Sequence, residues 1–221
     1  MIRRALVIVG LGAFAASVVL PLVWVLVTSF KSSPEIFASP WSLPGHLRWA
    51  NYAKAWREAG IARCFANSLI VTVATLAILL PVGSMAAYVL ARYPFRWSRW
   101  ILTAFLGGMM FPIFLAIVPL FLLLRDLALL DSLEGLILVY VAYSLPFTIF
   151  VMTGFFHTLP AELLEAAMID GCGHVAAFWR VMLPLARPGL VVVGIFNAIG
   201  LWNEYPLALV IAVSEEIRTL P

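Results

Sequence analysis

Long apolar stretches alternate with short polar ones along nearly all of this chain. The apolar stretches run over about Ala5–Phe30, Phe65–Ala91, Trp100–Leu124, Gly135–Phe156 and Pro188–Val213. Each approaches or exceeds the roughly 20 residues at 1.5 Å rise that cross about 30 Å of hydrocarbon. Backbone groups in lipid have no water to bond, so spans of this length are predicted to be helices. The alternating pattern of a β-barrel is absent. The expected fold is all-α, a polytopic transmembrane helix bundle with five spans. Prolines fall inside most of them, at Pro21, Pro81, Pro112, Pro119, Pro146 and Pro206. They mark either kinks accommodated by close helix packing, with Gly83 and Ala87 at small-xxx-small spacing, or hinges for a conformational cycle.

Composition agrees. Of 221 residues 64% are hydrophobic and 11% charged, against about 25% charged in a soluble domain. The net charge of +3 is small and dispersed, which argues against a nucleic-acid partner and for a lipid environment. The first apolar run exceeds the ~7–15 residues of a signal-peptide core, so it reads as an uncleaved span. An odd number of spans leaves the C-terminus on the outer side, and a further span is expected after EEIRTLP.

Orientation rests on loop charge. With the N-terminus cytoplasmic, Arg3, Arg4, Arg92, Arg96, Arg99, Arg180 and Arg187 lie inside, and Lys31, Arg48, Lys54, Arg57, Arg63, Arg125 and Arg218 lie outside. The tie comes from Lys31–Cys64, a long Pro-rich segment ending in a predicted amphipathic helix, Asn51–Ala59, which reads as a small folded element. The short loops favour an inside N-terminus. Trp97 and Trp100 suit the membrane interface. Trp41, Trp49 and Trp56 either line the outer membrane surface or meet an external partner. The division is 1–64, a first span with an external segment, and 65–221, a core. Cys64 and Cys172 fall in loops on opposite sides, so no disulfide is expected.

The exception to this apolar pattern is Pro160–Pro184. It is polar, helix-forming and Gly-punctuated, with room for two short helices. Pro160 and Glu162 suit a helix start. Leu164, Met168 and Gly171 share a face, Asp170-Gly171 is a helix stop, and a second helix over about His174–Met182 is predicted to end at Leu183-Pro184. The segment reads as a docking surface held out into water; the alternative is an amphipathic hairpin that lies on the membrane surface with no partner.

Its spacing resembles a known motif. Glu165-Ala166-Ala167, three residues, Gly171, nine residues, Val181, one residue and Leu183-Pro184 match the EAA loop, EAA-x3-G-x9-I-x-LP, with Val181 in place of Ile. That loop belongs to the membrane (permease) subunits of binding-protein-dependent ABC importers. Asn67-Ser68-Leu69, Ala86-Ala87-Tyr88 with Ala91-Arg92, Asn51-Tyr52 and Trp202-Asn203-Glu204-Tyr205 are similar to the carbohydrate-uptake branch, with its maltose-type and glycerol-phosphate-type subunits. The resemblance implies the type I importer permease fold, whose core normally has six spans. It also implies a bacterial cytoplasmic (inner) membrane location and three kinds of partner: a cytoplasmic ABC ATPase dimer, a second permease subunit and an extracytoplasmic solute-binding protein. No cofactor is implied on this chain, because ATP is bound by the partner ATPase. The absence of a GxxxxGK[ST] loop agrees.

On this resemblance the ATPase-docking residues are Glu165, Ala166, Ala167, Asp170, Gly171, Val181, Leu183 and Pro184. Phe178 and Trp179 fill the ATPase cleft or lie against the chain's own bundle. Ionisable residues inside spans default to function, which singles out Glu204; Asn197, Trp202 and Asn203 accompany it with amides and a ring that suit sugar hydroxyls and faces, so these four are the candidates for the substrate pathway. Glu204 otherwise sits at the outer interface or pairs with the partner subunit, and Asn67 reads as structural. A secondary transporter or channel subunit would show inverted repeats and paired intramembrane charges. A membrane enzyme would show a His/Asp/Glu cluster, HExxH or GxSxG. Neither pattern is present, no metal site is expected, and His46, His157 and His174 are scattered.

Overall fold

The computed structural model describes residues 2–220 apart from 59 and 94. The predicted helix end at Ala59 and the outermost domain residues, Met1 and Pro221, lie outside the described residues. Among those described, the chain forms helices and no strand. It divides into two compact units, Met1–Ala62 and Arg63–Pro221.

The first unit contains α1 (Ile2–Ser29), α2 (Ser33–Ala38) and α3 (Ala50–Glu58). Polar bonds fold the segment after α1. Ser32 and Glu35 form a capping box at the start of α2. The buried Lys31 Nζ donates to the carbonyls of Ser39 and Pro40 at 3.2 and 3.1 Å. Asn51 Nδ2 donates to the carbonyls of Ser29 and Lys31. Trp49 packs edge-on against Phe30 and Trp41 lies against Trp24, yet Trp41, Trp49 and Trp56 all remain exposed.

The second unit holds nearly all of α4 (Ile61–Arg92). It continues through α5 (Ser98–Met109), α6 (Ile113–Asp126), α7 (Leu133–Thr158), α8 (Ala161–Ile169) and α9 (His174–Ala177). A π-helical turn (Phe178–Met182) then leads into α10 (Leu183–Leu185), α11 (Arg187–Trp202) and α12 (Pro206–Ile211). Cys64 lies in the first turn of α4 rather than in a loop.

Three helices are long and apolar enough to cross a membrane, Arg3–Ser29, Ile61–Arg92 and Leu133–Thr158; counting each of two bent pairs as one span makes five. Two of the predicted spans are interrupted rather than continuous. The third is two helices, α5 and α6, bent by 98°. Pro112 stands extended at φ −66° and ψ 115°, and a proline pushes the residue before it out of the helical region. The fifth ends at Trp202 and resumes at Pro206, which takes the first position of α12, where its missing N–H costs nothing. Pro21, Pro81, Pro119 and Pro146 stay inside continuous helices.

Two apolar cores occupy opposite ends of the second unit. One joins Val71, Leu124, Leu136, Tyr140, Leu201 and Leu207. The other joins Tyr88, Met152, Phe156, Phe178, Met182 and Val193. Between them α4, α7 and α11 meet through small and polar residues. A Cβ on Gly83 would lie 2.5 Å from Thr148 Cγ2, so only glycine lets α4 approach α7 this closely. Asn197 Nδ2 donates to Thr148 Oγ1 at 3.1 Å and to the Val193 carbonyl at 2.9 Å. Small residues at contacts and interhelical hydrogen bonds are what hold helices together in lipid, where burial of apolar surface gives no drive.

Candidate functional site

The 160–184 segment is a helix–turn–helix whose turn is made by the backbone alone. Gly171 has φ +84°. The Gly171 N–H donates to the Met168 carbonyl and the Cys172 N–H to the Ala167 carbonyl, the Schellman pattern that closes a helix end. The second helix does not stop at Pro184. The Leu183 N–H bonds five residues back to Phe178, and this π turn carries the chain helically through Leu185. A 75° bend then separates His174–Leu185 from α11.

Packing divides the predicted docking residues. Ala167 is buried, and Leu164, Val181 and Leu183 pack against the second core. The inner side of α8 is thus Leu164 and Ala167, while Met168 and Gly171, on the same row as Leu164, are exposed. Phe178 is 3% exposed and lies against Tyr88 and Phe156, so it anchors the segment to its own bundle. Glu165, Ala166, Asp170, Gly171 and Pro184 are exposed. Around them Ile169 (85% exposed), Val175 (73%), Met168 and Trp179 form an apolar outer surface.

Two contacts that the sequence reading did not foresee tie this segment to the end of α4. Tyr93 and His174 share a 2.6 Å hydrogen bond between Oη and Nδ1, and Tyr93 also bonds Tyr88. One guanidinium nitrogen of Arg92 donates to the Leu159 carbonyl at 2.6 Å. No local pattern announces either contact.

At the other end, the break between α11 and α12 is closed by a side chain. Glu204 Oε1 accepts from the Leu207 N–H at 2.9 Å. Its Oε2 accepts from the Ala208 N–H at 3.2 Å and from Tyr140 Oη at 2.7 Å. Glu204 thereby satisfies the first turn of α12 and pins it to α7. Asn203 is exposed, with Nδ2 bonded to the Ile199 carbonyl, so it closes the end of α11. Trp202 stacks edge-on against Phe65 at 5.6 Å and lines a water-sized recess beside Tyr140 and Glu204.

Of the four candidate pathway residues, Asn197 and Glu204 share one cavity of about 390 Å³ with Tyr143, Ser144, Phe147 and Phe196. Its volume is within the roughly 300–1,000 Å³ common for small-molecule sites. Aromatic faces beside hydroxyl and amide groups suit a ligand with both apolar faces and hydroxyls. Trp202 and Asn203 lie outside this lining. Tyr140, Ser144 and Thr148 were missed, although their i, i+4, i+8 spacing marks one face of α7.

A strap over residues 213–220 closes this end. Asp131 Oδ1 accepts from the Val213 and Ser214 N–H groups at 2.9 and 2.8 Å. Asn67 Nδ2 donates to the Glu216 and Arg218 carbonyls, and Ser68 Oγ accepts from the Leu220 N–H. Asn67 is structural here. The Ser214 N–H, partly offset by burial and aided by Val213, holds the Asp131 carboxyl below the usual carboxylate range.

Residues 79–220 match the family described as the binding-protein-dependent transport system inner membrane component. The diacetylchitobiose uptake system permease protein NgcG of Streptomyces coelicolor is 53% identical over 87% of the chain. The chain spans 64% of that relative's length. The sulfoquinovosyl glycerol transport system permease protein SmoH of Agrobacterium fabrum is 36% identical, covering 94% of the chain and 75% of the relative. Among solved structures, a bacterial ABC transporter involved in the import of the acidic polysaccharide alginate superposes with a TM-score of 0.87 at 28% identity. That superposition covers 98% of this chain and 76% of the other. With a matching family that spans well over half its residues, this chain belongs to the inner membrane components of binding-protein-dependent transport systems.

Proposed function

We propose that this chain is one of two membrane subunits of an ATP-driven importer for a sugar or a related polyol or sugar phosphate. Its N-terminus lies in the cytoplasm, which puts 160–184 on the side of the ATPase dimer. A solute-binding protein delivers the solute from the other side. ATP is bound and hydrolysed on the ATPase, and this chain supplies the pathway and the lever.

The observation that carries the reading is the outer surface of 160–184. It presents Glu165 and exposed apolar side chains outward on a turn that satisfies its own backbone, while Phe178 and Ala167 anchor it inward. A push on such a segment passes to the bundle instead of bending the loop. In this reading Glu165, Ala166, Asp170, Gly171 and Pro184 meet the ATPase. Ala167, Val181 and Leu183 transmit the load.

The pathway includes the cavity of Asn197 and Glu204, whose aromatic and amide lining supports a sugar-like solute. Trp202 and Asn203 act beside it. The 53% identical relative is named for diacetylchitobiose uptake, so that disaccharide is the first solute to try. The test is co-expression of Glu165→Lys with its ATPase, partner subunit and binding protein. Expected are normal membrane insertion, loss of the ATPase on affinity purification and at least about a tenfold fall in uptake. Retained ATPase and retained uptake would overturn the docking role.

A further inference from the structure

The cavity lining carries charge of one sign only. Glu204 contributes a carboxylate, and among the described residues no lysine, arginine or histidine lines the space. No ion pair among the described residues involves Glu204 either. Three hydrogen bonds fix the carboxylate in place, two from the first turn of α12 and one from Tyr140. Both oxygens act as acceptors, the arrangement that suits the anion, and they are already occupied by the protein. Glu204 is therefore poorly placed to bind solute hydroxyls. What it gives the cavity is a fixed negative field among aromatic walls, where Coulomb interactions are weakly screened compared with bulk water.

We propose that Glu204 is a specificity-determining residue that excludes anionic solutes, so that the solute class is uncharged glycosides rather than uronates, aldonates or sugar phosphates. This rests on the importer reading above and narrows it. An anion in the cavity meets a carboxylate that cannot swing away, because moving it would uncap α12. An uncharged sugar feels no such repulsion and stacks on Tyr143, Phe147 or Phe196. Asn197, tied to Thr148, is a fixed neutral amide and carries no compensating charge.

The test uses the complete transporter in proteoliposomes with its binding protein. The probes are diacetylchitobiose and its C1-oxidised aldonate, each at a concentration saturating the binding protein. The measured quantity is the ratio of neutral to anionic uptake. The binding protein is the same in every arm, so a changed ratio belongs to the membrane subunit. Glu204→Gln keeps an acceptor for α12 and removes the charge; the ratio should fall about tenfold. Tyr143→Lys places a cation at an exposed position of the same cavity wall and should also lower the ratio, which decides the matter if Glu204→Gln fails to assemble. Tyr140→Phe loosens the latch without touching the charge; rates should fall with the ratio unchanged. An unchanged ratio in both charge variants would overturn the filter while leaving the importer reading intact. Uptake of the aldonate as fast as the neutral disaccharide by the unaltered transporter would likewise overturn the filter.

Discussion

Two helix interruptions at opposite ends of the second unit solve the same problem differently. At 170–174 the chain turns through Gly171, and the backbone satisfies its own end: the Cys172 N–H reaches the Ala167 carbonyl. At 203–205 the backbone leaves the first N–H groups of α12 without partners, and Glu204 supplies them. The glutamate of each region follows from this. Beside the self-satisfied turn Glu165 points outward, with no hydrogen bond or ion pair among the described residues. At the other break Glu204 is committed inward. A charged residue on a polytopic membrane protein is thus free to meet a partner where the backbone around it has closed itself. Where the backbone has not, the charge is fixed in place, as Glu204 is at the cavity wall.

The largest effect should come from separating anchor and outer surface within the first region. Phe178→Ala removes a buried ring from the second core and should destabilise the bundle by about 3–5 kcal/mol, read as a lower thermal midpoint of the detergent-solubilised protein. Trp179→Ala, one residue on but half-exposed, should leave that midpoint nearly unchanged and weaken ATPase retention. Equal loss of stability in both would erase the distinction between the two faces.

The second region is next. Glu204→Ala leaves the Leu207 and Ala208 N–H groups and the Tyr140 hydroxyl without their acceptor, at about 1–3 kcal/mol for each donor that stays buried. Hydrogen exchange should rise at the start of α12 and not in α8. Unchanged exchange in α12 would mean that Glu204 does not hold the break together.

Much of this contrast was legible before any coordinates. The five apolar runs, the helix-turn-helix of 160–184 and its Gly171 stop all follow from spacing and residue type, because they depend on neighbours in sequence. What was not legible depends on residues far apart. Glu204 finds Tyr140 64 positions away, and Tyr93 finds His174 across 81. The same limit explains the broken third span, since apolarity records where a segment lies and not which way it points. Pro184 misled for a different reason: a π turn absorbs the missing N–H, so the helix continues past it. The face of Tyr140, Ser144 and Thr148 was readable by its spacing but carried no charge to draw notice.

Gly171→Val sharpens the comparison from the side of the self-satisfied turn. A Cβ there meets nothing within 4 Å, so the penalty is backbone strain alone, about 1–2 kcal/mol for an L residue in the left-handed region. The core behind it should hold while the turn opens. Uptake should fall further than the thermal midpoint suggests, and Gly171→Asn, which tolerates that conformation, should restore most of it. If valine and asparagine behaved alike, conformation would not be what Gly171 contributes.

The smallest effect concerns the strap over the second region, where Asp131 does for residues 213–214 what Glu204 does for α12. Its carboxyl is held below the ordinary value of 3.8, first by the Ser214 N–H. A carboxyl depressed in the folded state stabilises it above the ordinary value and loses that contribution as pH falls through the depressed one. Hydrogen exchange at Val213 and Ser214, corrected for its intrinsic pH dependence, should therefore show constant protection at neutral pH. Protection should drop only below about pH 4. Asp131→Asn keeps an acceptor and should abolish the pH step while retaining part of the protection. A step that persisted in Asp131→Asn would assign it to another group. A step abolished in Asp131→Asn would place the difference from Glu204 in exposure: Asp131 faces water and tunes a strap, whereas Glu204 is part-buried and holds a helix.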